Sequence, residues 1–400
     1  MVLFILLSAV MACTSPLPGG STASPANVDT SVAQTFQAMT AVLPATTVTR
    51  PPPTPASSLL PRSLYFLNNG PDNGGAMQVF RLAADGVNLT RLTFEPASVT
   101  DFDISQVNAQ IVYVSNNQLL LVNADGSGRR VLVDGGPLVS DAYAFTNLGA
   151  PRWSPDGGTI AFSHGGLDFY NVATGVIETA LVDNVSTTAG FLVLNEGYSP
   201  KAYSPDGTKL LLNISYYEGG TQAIYVHATK ALTKLTNPDG VVCCISSWSP
   251  DSSAIFTTSS TIGMIASGMW RFEAASGNGV TLLANPADGN GPFVFADTAQ
   301  VGPDGQLYYF YSTYPTAPEG HTPLKMVRSA LDGVTNRVEL RPDVFQNINV
   351  ILWSPDMSFA VVAFAPVQDV YAGGEAEIVY TDGRPNVSLA PFAMDMKWGP

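Results

Sequence analysis

A five-residue signature returns along this chain at near-constant intervals, and that recurrence restricts the fold more than any other feature of the sequence. It reads Trp153-Ser154-Pro155-Asp156-Gly157, Tyr203-Ser204-Pro205-Asp206-Gly207, Trp248-Ser249-Pro250-Asp251, Val301-Gly302-Pro303-Asp304-Gly305 and Trp353-Ser354-Pro355-Asp356. Ile104-Ser105 is a degenerate copy, and Trp398-Gly399-Pro400 a truncated one. Measured on the Ser or Gly, successive copies lie 49, 50, 45, 53, 52 and 45 residues apart, the size of a four-stranded unit. Pro presets φ, Asp bonds its own backbone and Gly accepts φ > 0, so the signature is a tight turn between two strands.

Each copy repeats one internal order. The first strand ends at the aromatic residue, and the second follows the turn at once. The second strand appears as Leu64-Tyr65-Phe66, Ile111-Val112-Tyr113, Ile160-Ala161-Phe162, Leu210-Leu211-Leu212, Ala254-Ile255-Phe256, Leu307-Tyr308-Tyr309 and Phe359-Ala360-Val361. A third strand (Gln78-Val79-Phe80, Ala223-Ile224-Tyr225, Glu377-Ile378-Val379) often closes on Asp-Gly, as at Asp85, Asp125, Asp332 and Asp382. A short fourth strand follows, such as Arg91-Leu92-Thr93 or Lys234-Leu235-Thr236. The first unit lacks its first strand, while Met396-Lys397-Trp398 is a first strand with no successor. Joining the two closes a ring and removes exposed sheet edges. The expected fold is therefore all-β: a β-propeller of four-stranded antiparallel blades, closed by the C-terminal strand. Counting second strands gives seven blades; six is the alternative if the first unit is irregular. A chain with 46% hydrophobic and only 12% charged residues, 36 Gly and 30 Pro suits many short strands and turns.

These repeats resemble the WD40-like (PD40) repeats of TolB-type β-propellers, found also in the propeller domains of prolyl-oligopeptidase-family peptidases. The resemblance covers about residues 62–400. It implies the fold, and the fold hosts many functions. The peptidases of that group carry their catalytic triad in an added α/β-hydrolase domain. Here no Gly-x-Ser-x-Gly elbow occurs, and only His164, His227 and His321 are available as a base.

The N-terminal residues have a different character. Val2 to Met11 form an apolar run too short to span a bilayer but suited to a signal-peptide core, and Val10-Met11-Ala12-Cys13 resembles a bacterial lipobox. Residues 1–12 are expected to be cleaved, and Cys13 to be lipidated. Residues 13–61, rich in Ser, Thr, Pro and Ala, read as a disordered linker. The expected location is the outer face of a bacterial cytoplasmic membrane, the cell surface or the periplasm, with the membrane as one partner through the lipid anchor.

A net charge of −14 without a basic stripe argues against nucleic acid. Three Cys and three His leave no cluster for a soft metal, so neither metal nor cofactor is expected. Cys243 and Cys244 read as small buried residues, with a strained vicinal disulfide as the alternative. A monomer is expected.

Trp153, Asp156, Tyr203, Asp206, Trp248, Asp251, Asp304, Trp353, Asp356 and Trp398 read as structural repeat residues, since a role repeated in every unit is a turn-forming one. The long segments (67–77, 134–150, 183–199, 214–222, 284–297, 311–323 and 364–376) gather on the face opposite the tight turns. That face carries the candidate binding residues Tyr143, Phe191, Tyr198, Tyr216, Tyr217, Glu218, Tyr311, Tyr314, His321 and Tyr371. With no catalytic residue identified, the expectation is a non-catalytic module binding a protein, peptide or glycan. Two alternatives stand beside it. One is a glycan-active enzyme of the glycosidase or uronate-lyase class, with an acid and base pair drawn from Glu196, Glu218, Glu319 and Asp369. The other is a TolB-like part of an envelope assembly.

Overall fold

The computed structural model describes residues 58–70, 75–138, 147–188, 191–237, 244–261, 266–286 and 290–400, the side chain of Phe191 excepted. Cys13, Tyr143 and Cys243, and with them the signal peptide and most of the linker, lie outside the described residues. Residues 56–400 form one compact unit.

Among the described residues there is no helix, and the strands assemble into seven antiparallel blades. The third blade shows the plan: Gly149–Trp153, Thr159–Ser163, Gly166–Asn171 and Ile177–Val182 pair in chain order, with Trp153 opposite Ile160 and Tyr170 opposite Ile177. All seven predicted second strands are present. The C-terminal strand Val387–Trp398 serves two blades. Its first half pairs with Gly374–Tyr380 as the fourth strand of the last blade, and its second half pairs with Leu64–Asn68 as the first strand of the first. The first and last blades thus form one seven-stranded sheet, as the complementary chain ends imply.

Alternation along each strand builds the core. Ile111 and Tyr113 pack toward the first blade with Tyr65 and Phe102, whereas Val112 and Val114 pack toward the third with Trp153 and Phe162. Seven such clusters fill the seven interfaces between neighbouring blades, so the ring has no open seam. A strand buried on both faces explains why the second strands read as unbroken apolar runs.

The box residues hold the turns together. Ser154 Oγ donates to Asp156 Oδ1 at 2.6 Å, Asp156 accepts the Gly158 N–H at 2.9 Å, and Ser154 Oγ accepts the Thr159 N–H at 2.9 Å. The same Ser–Asp bond recurs at Ser204–Asp206, Ser249–Asp251 and Ser354–Asp356. These donors hold Asp156, Asp206 and Asp251 below the ordinary carboxylate range. Gly302 replaces the serine in the fourth full copy, and there Asp304 accepts from Gln306 N and the Tyr308 hydroxyl. The box tryptophans bind consecutive blades: Trp248, Trp353 and Trp398 donate their indole N–H to the backbone oxygens of Ala202, Thr298 and Trp353.

Several boundaries differ from the sequence-based expectation, and strands Phe293–Val301 and Leu307–Tyr314 run into the expected loops 284–297 and 311–323, so Tyr311 and Tyr314 lie on a strand. The fourth strands run Leu89–Arg91 and Ala231–Lys234, a few residues earlier than expected, because each pairs directly after the Asp-Gly or equivalent turn. Segment 183–199 is not a loop: Asn184–Thr188 pairs with the first half of Phe191–Tyr203 as a hairpin extending the fourth blade. Leu60 is fully buried between the first and last blades, so the packed region begins before residue 62. Cys244 is disulfide-bonded.

A buried polar cluster joins the first two blades. Glu95 accepts from the Tyr113 hydroxyl at 2.8 Å and, through both oxygens, from Arg129 at 2.7 and 3.0 Å. Arg129 holds the Glu95 carboxyl below its usual range. Glu95→Ala strands the buried Tyr113 phenol and releases the half-exposed Arg129 to solvent, and an expected loss of about 1–2 kcal/mol should appear as a lower urea midpoint with an unchanged slope.

Candidate functional site

The first strand of every blade is the innermost, so its residues surround the axis of the ring. Alternation sends the box aromatic into the blade interface and the residue before it toward the axis. Asp103, Arg152, Ser247, Gln300, Leu352 and Lys397 occupy that preceding position. Six of these inner strands carry register shifts: between Val99 and Asp101, Gly149 and Arg152, Pro200 and Ala202, Asp297 and Gln300, Ile348 and Val350, and opposite Tyr65 and Leu67 in the closing strand. Such bulges re-aim side chains. In the fourth blade the extra residue is Lys201.

Of these side chains, Asp103, Arg152, Lys201, Leu352 and Lys397 line a cavity of about 560 Å³ on the axis. Its walls are Asp103, Ile104 and Gln106 of the second blade, Arg152 to Pro155 of the third, Lys201 to Pro205 of the fourth, Trp248, Leu352, and Met396 to Trp398. The cavity therefore opens at the tight-turn face, where Ser154-Pro155 and Ser204-Pro205 form part of the rim.

Its charges are unevenly matched. Arg152 Nη1 lies 3.0 Å from Asp101 Oδ1, and Lys397 Nζ lies 3.6 Å from the same oxygen and 2.8 Å from Asp395 Oδ2. Burial raises the Asp101 pKa, but Arg152 and Lys397 outweigh it and hold the group ionised. Asp103 accepts the Trp153 N–H at 2.7 Å, and burial nonetheless pushes its pKa up. Lys201 differs. Its Nζ donates to the Cys244 carbonyl at 2.6 Å, and no carboxylate partners it among the described residues. Burial, reinforced by the neighbouring Arg152, pushes its pKa down to about 8. Trp153, also on the wall, has a buried indole N–H with no acceptor among the described residues.

The long-loop candidates fall into separate groups. Tyr198 donates to Glu196 at 2.6 Å, Lys234 Nζ lies 2.6 Å from the other Glu196 oxygen, and the same ammonium donates to Tyr216 at 3.3 Å. His321 contacts the Gln368 carbonyl and the Asn349 amide oxygen at 2.8 and 2.7 Å and stacks on Tyr371 at 4.6 Å. Tyr314 donates to the Pro323 carbonyl, and Arg337 covers the Tyr311 ring at 3.9 Å. Tyr217 and Tyr371 are 72% and 64% exposed, and Glu218 is exposed beside Tyr217. Phe191 begins the second strand of the extra hairpin. Among the described candidates, Tyr198 and Tyr216 meet at Glu196 and Lys234, His321 meets Tyr371, and Tyr311 and Tyr314 make contacts of their own.

Around the cavity the structure brings together Trp153, Tyr203, Trp248 and Trp398, first read as repeat markers, with the charged residues beside them. The usable signal was the position just before each box aromatic, which is charged in three copies: Asp103, Arg152 and Lys397. Lys201 was hidden, because the bulge shifts it by one. Of the four carboxylates considered for an acid and base pair, Glu196 is held by Lys234 and Tyr198, and none of Glu196, Glu218, Glu319 and Asp369 lines this cavity. His227 contacts Glu178 and stacks on Phe169 at 4.2 Å. Among the described residues, no group of three or more His, Cys, Asp or Glu is placed to hold a metal ion.

No family model matches the sequence, and no curated protein matches it. Among solved structures the chain is similar to a puromycin-hydrolysing peptidase from Mycobacterium tuberculosis, with a TM-score of 0.53 and 12% identity over 84% of this chain and 52% of that one. It is also similar to a prolyl endopeptidase, with a TM-score of 0.52 and 10% identity over 80% of this chain and 47% of that one. TolB from Acinetobacter baumannii gives a TM-score of 0.42 and 16% identity over 84% of this chain and 82% of that one. The chain spans about half the length of the two peptidases. At these identities the peptidase likenesses show the fold alone. With the seven blades and seven interfaces above, they define a β-propeller.

Proposed function

We propose that this chain is a non-catalytic binding propeller, tethered outside the cytoplasm through Cys13, whose ligand seats in the axial cavity. One observation carries the reading: the cavity joins aromatic walls to a cation that has no counter-charge among the described residues, while the carboxylates around it are engaged. Asp103 is the single carboxylate on the lining. Acid and base hydrolysis of a glycan needs two at a fixed separation. A pocket of mostly apolar surface with a few convergent polar groups is the common form of a ligand site. The lipobox-like Val10-Met11-Ala12-Cys13 and the Ser/Thr/Pro-rich segment after it support the tether.

The test is a ligand screen on the full-length chain, read by quenching of tryptophan fluorescence and followed by a turnover assay on every hit. Saturable quenching without turnover, unchanged in Tyr217→Ala, is expected. Turnover abolished by Asp103→Asn would make the protein an enzyme, and loss of binding in Tyr217→Ala would move the site to the long-loop face. Mass spectrometry of the same preparation, made in a bacterial host, should show an N-terminal peptide that begins at an acylated Cys13.

A further inference from the structure

We propose that the axial cavity receives the C-terminal carboxylate of a peptide whose last side chain is aromatic or large and apolar; this rests on the binding reading above and names its ligand. The argument starts from charge. Three cations, Arg152, Lys201 and Lys397, face three carboxylates, Asp101, Asp103 and Asp395. The short contacts assign those carboxylates elsewhere: Asp101 to Arg152 and Lys397, Asp395 to Lys397, and Asp103 to the Trp153 backbone N–H. Among the described residues Lys201 has one hydrogen bond, to a carbonyl, where an ammonium can make three. An anion beside it would gain charge-assisted hydrogen bonds and screen the repulsion from Arg152. The depressed pKa of Lys201 agrees with a cation awaiting such a partner.

The walls then choose what the anion is attached to. Trp153, Tyr203, Trp248, Trp398, Leu352 and Met396 give aromatic and apolar surface around a volume of about 560 Å³, room for the end of a peptide and not for a folded domain. Charge favours a peptide end over a poly-uronate. The whole chain carries −14, which repels a polyanion at a distance but opposes a single carboxylate far less. A uronate at every ring would also call for cations spaced along a path, whereas here they gather at one cavity.

The test uses the full-length chain at pH 7, N-acetyl-Ala-Ala-Phe with a free carboxylate, the same peptide as its C-terminal amide, and an oligogalacturonate, each titrated by calorimetry. The free acid should bind at least tenfold more tightly than the amide. Lys201→Met should reduce acid binding to the amide's level, and Lys201→Arg, which keeps the charge, should stay within a few-fold of the parent. Equal binding of acid and amide would overturn the carboxylate assignment while leaving the cavity as a ligand site. Binding of the oligogalacturonate alone would replace the peptide with a glycan. If none of the three binds, the proposal falls, and hits in the broader fluorescence screen decide separately whether the binding reading survives.

Discussion

Lys201→Met is expected to stabilise the protein at neutral pH by about 2 kcal/mol, from a pKa lowered to about 8 in the folded chain and one pKa unit being worth about 1.4 kcal/mol. Partial contact of the side chain with solvent keeps the gain below what the whole shift would give. The pH dependence follows from the two protonation states. Below pH 8 the lysine is charged in both folded and unfolded chains, so the fold carries the whole cost of a buried, uncompensated cation. Between 8 and the ordinary value of 10.5 it loses its proton first in the folded chain, and the cost fades. Above that it is neutral in both. Thermal melts of parent and variant should therefore differ by a few degrees at pH 6–7 and converge toward pH 10.5. A variant less stable than the parent at pH 7 would mean that Lys201 already has an adequate partner. The expected sign is opposite to that of most buried substitutions, and it is the sign of a residue kept for binding at the expense of stability.

Removal of residues 394–400 should abolish cooperative folding. The deletion takes away the strand that pairs Trp398 with Leu64, Lys397 with Tyr65 and Met394 with Leu67, and with it the Trp398 contact to Phe359 and the indole bond to Trp353. It leaves the buried strand Leu64–Asn68, with the apolar Leu64, Phe66 and Leu67, as an open sheet edge, the kind of surface that seeds aggregation. Loss of a single thermal transition by circular dichroism, with high-mass species on size exclusion, is the expected result. Trp398→Ala keeps the backbone ladder and should cost about 2–4 kcal/mol while preserving a cooperative fold. A truncated chain that melts like the parent would show that the other interfaces hold the ring without closure.

Much of this architecture was legible in the sequence because it is local. Pro-Asp-Gly makes its turn from its own residues, and the Ser–Asp bonds span two residues. Second strands buried on both faces had to be continuous apolar runs, so all seven could be found. The fourth strands were misplaced because they are short and mostly exposed, and little in their side chains marks an end; Leu89–Arg91 has no fully buried residue. The hairpin from Asn184 was missed for a related reason: its burial is intermediate to exposed throughout, so no alternating pattern records it.

The sequence by itself determined the blade, its number of copies and the way the ring closes, because turn chemistry, strand alternation and the complementary chain ends are written within short segments. Tertiary structure decided the site. Asp101, Arg152, Lys201 and Lys397 stand about 50 residues or more apart and meet only because innermost strands from different blades converge on one axis. Bulges then turn the last few degrees of side-chain direction, and a bulge depends on pairing with a neighbouring strand, which no short segment encodes.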